Sequence, residues 1–216
     1  MNSKDFIKRI ITSIPLLIIL FLSFQYSNIL IIALISVSII SWIEFKALIF
    51  KIYKNIYYKL LINIFSLIYL TIFSTIVYLC ISQNEYKILM SYLFLVCIFS
   101  DIGGLIFGKI FKGRKLTKIS PNKTVSGSIG SFILSSILAP IFFFLFADQS
   151  IINLLFIALL ASLFCQIGDL LISFLKRKAK VKDTGNILPG HGGLLDRIDG
   201  MLFAIPLGII ISMLLI

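Results

Sequence analysis

The segment SFLKRKAKVKDTGNILPGHGGLLDRIDG, residues 173–200, sets Lys176, Arg177, Lys178, Lys180, Lys182 and Arg197 beside Asp183, Asp196, Asp199 and the only histidine, His191. Carboxylates beside ammonium and guanidinium groups, on glycine-rich backbone, can hold a metal ion and the phosphate it bridges. Read as a helix, CQIGDLLISFLKRK puts Asp169, Ser173 and Lys176 at i, i+4 and i+7 on one face, with Arg177 beside them. Asp169 is then a metal-ligand candidate, with phosphate-binding cations one or two turns away. The plainer reading of Lys176 and Arg177 is that they reach out to lipid headgroups. In GNILPGHGGLLDRIDG, Pro189 and the glycines at 185, 190, 192 and 193 make a loop whose backbone can approach a ligand closely. Asp196 and Asp199 share a face at i, i+3, and helix capping is their alternative role.

A second basic segment, FGKIFKGRKLTKISPNKTVSGSIG, is rich in Lys, Ser, Thr and Gly but lacks the GxxxxGK[ST] order of a Walker A loop. Within it Lys123, in SPNKT at the mouth of the next apolar run, is the better candidate. Lys112, Arg114 and Lys115 are accounted for by the retention of basic loops on the inner side of a membrane. Asp101 and Asp169 fall within or at the edge of apolar runs. An unpaired carboxylate there costs about 2.5–3.5 kcal/mol on insertion scales, so such a residue faces a polar cavity or pairs with a neighbouring lysine.

The elements that must position these residues are membrane spans. Mean hydropathy is +1.08, and only 13% of residues are charged, against about 25% in soluble domains. The net charge of +11 does not indicate nucleic acid, because the basic residues punctuate apolar runs instead of forming a soluble basic face. Apolar runs lie at about 10–24, 29–43, 60–82, 88–108, 125–147, 151–172 and 200–216, each to be set against the ~20 residues that cross a bilayer. The expectation is an all-α, polytopic integral membrane protein of about seven transmembrane helices. The first two runs are short, with Pro15 in the first, and a tilted or re-entrant hairpin is open to them. The N-terminus offers no convincing cleavage site after its apolar run, so it reads as an uncleaved span.

With the N-terminus inside, every basic residue except Lys87 falls on an inner segment, so the positive-inside rule gives an N-in, C-out topology. The two long inner loops, 109–124 and 173–199, are where a function would sit. The chain divides into an N-terminal membrane hairpin with a basic inner loop, 1–59, and a catalytic membrane domain, 60–216. Cys80, Cys97 and Cys165 lie inside apolar runs without CxxC spacing and read as small core residues.

The C-terminal segment resembles the signature of the phosphatidate cytidylyltransferases, or CDP-diacylglycerol synthases. Ser173, Lys176, Arg177, Lys182, Asp183, Gly185, Leu188, Pro189, His191, Gly192, Gly193, Asp196, Arg197 and Asp199 match its fixed positions. The likeness extends to Asp101, to FGK at 107–109 and to SPNKT at 120–124, covering roughly the C-terminal 120 residues. The chain departs from it at Ser126, where members often carry Glu, and at Asp101-Ile102, where they carry Asp-Thr.

The resemblance implies transfer of a cytidylyl group from CTP to phosphatidate, with CDP-diacylglycerol and pyrophosphate as products. It implies one or two Mg²⁺ ions on Asp169 and Asp196, with room for an additional monovalent cation. Lys123, Lys176, Arg197 and His191 would be the catalytic set, and Ser120, Ser173, Arg177, Asp199 and Asp101 would support substrate and cofactor. The acyl chains would lie between spans beside Gly103, Gly104 and Gly108. Partners would be CTP, phosphatidate, the lipid bilayer and a second copy of the chain in a homodimer, with no nucleic acid. The location would be the inner (plasma) membrane of a cell, with the site on the cytoplasmic face. The alternatives are a CTP-dependent polyprenol kinase and, from another class, a small transporter with a cytoplasmic metal-binding loop. A CDP-alcohol phosphotransferase would need a DGxxAR element that the chain lacks.

Overall fold

The computed structural model describes residues 3–117, 119–145, 150–187 and 192–215, with 3–13 as backbone. The fold is all-α. The helices are α1 (Ser3–Gln25), α2 (Ser27–Ile52), α3 (Ile56–Ser82), α4 (Asn84–Phe111), α5 (Val125–Ser136), α6 (Leu138–Phe143), α7 (Ile151–Lys178) and α8 (Leu195–Leu215). Among the described residues, α2, α3, α4, the α5–α6 pair, α7 and α8 are each long and apolar enough to cross a membrane, while the apolar part of α1, Ile14–Gln25, is shorter. Their flanks expose large apolar side chains such as Ile32, Leu61 and Phe65. Lipid can cover such a surface, because the backbone groups in a helix interior are already bonded within their own segment.

Local chemistry sets the boundaries. Asn55 caps α3, its side chain accepting the N–H of Tyr57 at 2.9 Å, and Thr124 caps α5 by accepting from Gly127 at 3.1 Å. The apolar run 125–147 is not one straight helix. It breaks at Ile137 between α5 and α6, because Pro140 has no N–H to offer the carbonyl of Ser136. Helix α2 outlasts its apolar run by nine positions, carrying Glu44, Lys46 and Lys51 on helix and leaving only 53–55 as a link to α3.

Two compact units divide the chain: Met1–Gln83 with Leu175–Ile198, and Asn84–Phe174 with Asp199–Ile216. In the first, the hydroxyls of Ser38 and Ser74 meet at 2.6 Å and tie α2 to α3, and Trp42 Nε1 donates to the carbonyl of Asn63 at 3.3 Å. The last turn of α7 ends in a paired closure. Lys180 N–H donates to Arg177 O at 3.1 Å and Val181 N–H to Lys176 O at 3.0 Å, with Lys180 at φ 56°. That is a Schellman motif, which turns the chain sharply into the polar loop.

In the second unit small residues replace bulk at the helix crossings, as they do where helices pack in lipid. Ser100 and Ser162 share a hydroxyl contact at 2.9 Å, and Ser131 donates to the carbonyl of Ser100 at 2.7 Å. The face of α4 with Gly103, Gly104 and Gly108 is filled by α5. A Cβ on Gly103 would strike the backbone of Gly130, one on Gly104 would meet Ser131 Oγ at 2.9 Å, and one on Gly108 would meet Thr124 Oγ1 at 3.1 Å. The glycines expected to border acyl chains are therefore spent on helix packing: they let α4 and α5 close up on each other. The cysteines are buried and form no disulfide, as small core residues would; Cys97 and Cys165 pack with Ala204.

Candidate functional site

Each unit holds one lysine–carboxylate pair built from the predicted site residues, and α7 supplies a member to each. In the second unit, Lys123 Nζ lies 2.5 Å from Asp169 Oδ2, and Ser173, one turn along α7, donates to Asp169 Oδ1 at 3.3 Å. The loop before α5 delivers Lys123 by backbone bonds. Its N–H donates to Ser120 O at 3.0 Å, its carbonyl accepts from Leu116 at 2.8 Å, and Val125 N–H donates to Arg114 O at 3.0 Å. Ser120 thus acts through its carbonyl, one turn-bond behind the lysine. The Lys123 and Asp169 side chains are 24% and 31% exposed. Ion pairs at that exposure contribute about 1 kcal/mol or less, so the lysine can exchange its carboxylate for a phosphate at little cost.

In the first unit, Lys176 Nζ lies 2.5 Å from Asp196 Oδ1. The other carboxylate oxygen, Oδ2, accepts from Thr184 N–H at 2.8 Å, Thr184 Oγ1 at 3.0 Å and Gly193 N–H at 3.3 Å. Asp196, in the first turn of α8, therefore stitches that turn to the last turn of α7 and to the middle of the intervening loop. At 14% and 7% exposure this pair is more desolvated than the other. Removing one member would leave a charge with little water to take its place.

The residue that sequence reasoning missed is Glu44. Only 3% exposed, it accepts from Leu194 N–H at 3.0 Å through Oε1, and from Leu195 N–H and Thr184 Oγ1 at 2.8 Å each through Oε2. A carboxylate at a helix N-terminus satisfies amides that have no partner within the helix and meets the positive end of its dipole. Glu44 does this for α8 from another helix. Gly193 is required here for space: a Cβ would collide with Thr184 Oγ1 and lie 2.6 Å from Glu44 Oε2. The Thr184 hydroxyl touches both Glu44 and Asp196 but carries one proton, so it donates to one at a time. A signal was present, since a carboxylate at the end of the apolar run in SWIEFK is as costly as Asp169.

The other candidates sit differently. Asp199 is buried in the second unit, its Oδ1 accepting from Gly200 N–H at 2.9 Å. The α7–α8 crossing there is tight, with the carbonyl of Asp199 2.5 Å from where a Cβ on Gly168 would stand. Asp101, on α4, is exposed and has Cys165 Sγ at 3.8 Å from Oδ1. Arg177 and Arg197 are exposed and so able to meet an anion from water. His191 lies outside the described residues.

No group of three or more His, Cys, Asp and Glu gathers around one point among the described residues, so no closed protein cage for a metal is formed. Carboxylate oxygens offered singly, each beside a lysine, suit Mg²⁺, which binds through one or two carboxylates together with waters and substrate phosphates.

A family model described as the cytidylyltransferase family matches residues 2–215. The phosphatidate cytidylyltransferase of Staphylococcus saprophyticus is 43% identical over 134 residues, which is 61% of this chain and 51% of that protein. That of Bacillus subtilis is 49% identical over 123 residues, 54% of this chain and 45% of that protein. That of Staphylococcus haemolyticus is 47% identical over 119 residues, with the same two shares. The chain spans about half the length of the curated relatives it matches.

Proposed function

Because the chain belongs to the cytidylyltransferase family, we propose that it transfers the cytidylyl group of CTP to phosphatidate, giving CDP-diacylglycerol and pyrophosphate. The reading is supported by the names of its relatives. The structural observation that carries it is the Lys176–Asp196 pair locked into the Thr184–Gly193 loop. That is a desolvated cation and carboxylate fixed by backbone amides at the end of two apolar helices, where a water-borne anion can meet a lipid phosphate.

The attacking phosphatidate oxygen is ionised at neutral pH, so the step needs no general base. It needs charge neutralisation and alignment. One bond forms from that oxygen to the α-phosphorus of CTP, and the bond from the α-phosphorus to the bridging oxygen breaks, releasing pyrophosphate. Lys123 and Lys176 give up their carboxylates to hold phosphate oxygens, and Arg197 can bind the departing pyrophosphate bidentately. Asp169 and Asp196 are the residues that would hold one or two Mg²⁺, whose chemistry is Lewis-acid neutralisation of phosphate charge. Ser173, Ser120, Arg177, Asp101, Asp199 and His191 orient these groups in this reading. The face that works is the cytoplasmic side of the plasma membrane, as the distribution of basic residues favours, with a second copy of the chain as the partner subunit.

Purified protein with CTP, Mg²⁺ and phosphatidate should place α-phosphate label in lipid and γ-phosphate label in pyrophosphate. Lipid carrying the γ label would mean kinase chemistry and reject the reading.

A further inference from the structure

In the first unit, a groove of about 670 Å³ runs between α2 and α3. Ile31, Ile35, Ile39, Trp42, Leu67 and Leu70 line it. Most of its hydroxyls are already spent: Ser38 on Ser74, Thr71 on the carbonyl of Leu67 at 2.8 Å, and Thr75 on the carbonyl of Thr71 at 2.9 Å. What remains is a hydrocarbon surface. Beyond its Trp42 end stand two ammonium groups. Lys46 Nζ lies 5.1 Å from the ring centre of Trp42 and 5.7 Å from that of Phe50, and Lys59 Nζ lies 4.7 Å from that of Phe50. Neither Lys46 nor Lys59 is a member of the Lys123–Asp169 or Lys176–Asp196 pair, and among the described residues neither ammonium is neutralised by a carboxylate. Two cations on one ring repel each other, and an anion between them relieves that repulsion.

We propose that this groove takes one acyl chain of an anionic glycerophospholipid from the surrounding bilayer, with its phosphate between Lys46 and Lys59. The charge complementarity selects the headgroup and the groove selects the chain. This lipid is not the one that reacts. Trp42, Lys46 and Phe50 recur at i, i+4 and i+8 on α2, whereas Ser41, Glu44 and Leu48 form its buried stripe, and Glu44 faces the Thr184–Leu195 loop. At 100° per residue, Lys46 stands about 200° from Glu44, on the other side of the helix.

Trp42 is the only tryptophan, so its fluorescence reads the groove directly. The full chain is placed in phosphatidylcholine vesicles containing a small fraction of brominated-chain phosphatidylglycerol, or of brominated-chain phosphatidylcholine. The anionic lipid should quench Trp42 at a mole fraction lower on the order of tenfold. Lys46→Gln/Lys59→Gln should erase that preference without changing quenching by the zwitterionic lipid, and Lys46→Arg/Lys59→Arg should retain it. Raising salt should shrink the preference in the unaltered protein, which tests the idea without any variant. Equal quenching by the two headgroups, or a preference that survives both salt and the Gln substitutions, overturns the proposal. Neither CTP nor turnover enters the measurement, so a protein inactive in cytidylyl transfer can still pass it.

Discussion

The Nζ of Lys176 and the Oδ1 of Asp196 meet at 2.5 Å, closing the last turn of α7 onto the first turn of α8 around the 16-residue segment 179–194. This pair ties the two helix ends together, and the N–H groups of Thr184 and Gly193, between them, donate to the same carboxylate. The consequences for substitution differ from residue to residue.

Asp196→Asn keeps the size of the side chain and removes its charge, leaving Lys176 without its counter-ion at 14% exposure. Losing one partner of a buried pair costs about 3–5 kcal/mol, so thermal stability should drop. Turnover should fall by at least about a hundredfold if the group also serves the metal. Assay of CDP-diacylglycerol formation across a Mg²⁺ titration checks this; near-normal turnover with unchanged Mg²⁺ dependence in folded protein would remove Asp196 from the site.

Lys123 and Asp169 should behave otherwise. Their pair is partly exposed, so Asp169→Asn and Lys123→Gln should each change stability by about 1 kcal/mol or less while lowering turnover by orders of magnitude. Groups that serve one step are strongly non-additive. The double variant should therefore cost little more than the worse single one, and simple additivity of the two activity losses would separate their roles.

Glu44→Gln preserves shape but weakens three charge-assisted bonds, each worth about 1.5–3 kcal/mol. The amides of Leu194 and Leu195 should exchange hydrogen faster by an order of magnitude or more, and activity should fall because the start of α8, which carries Asp196, loses its cap. Glu44→Ala should be worse. Gly193→Ala should reproduce the defect from the other side, by forcing its methyl group against Thr184. Unchanged exchange at Leu194 and Leu195 in Glu44→Gln would show that the cap is not what holds the loop.

Single cysteines in a background lacking Cys80, Cys97 and Cys165 test the orientation. Probes at Lys115 and Lys180 should react from the cytoplasmic side and one at Gln149 from the other, as the positive-inside rule requires. Reversed labelling would discard the proposed active face.

The sequence by itself determined what depends on local pattern. Long apolar runs became helices because a chain in lipid must bond its own backbone, and the placement of Asp169, Ser173 and Lys176 on one face of α7 followed from helical periodicity alone. The lysine–carboxylate pairing foreseen as an alternative for Asp169 is what the structure holds. What the tertiary structure decided are relations at long separation. Glu44 and Leu195 are 151 positions apart, and no periodicity links them. Likewise the Gly103–Gly104–Gly108 face looked like room for a ligand, yet α5 closes on it. Glycine in a sequence announces only the absence of a side chain; whether a lipid, a substrate or another helix takes the vacated space is settled by how the helices pack.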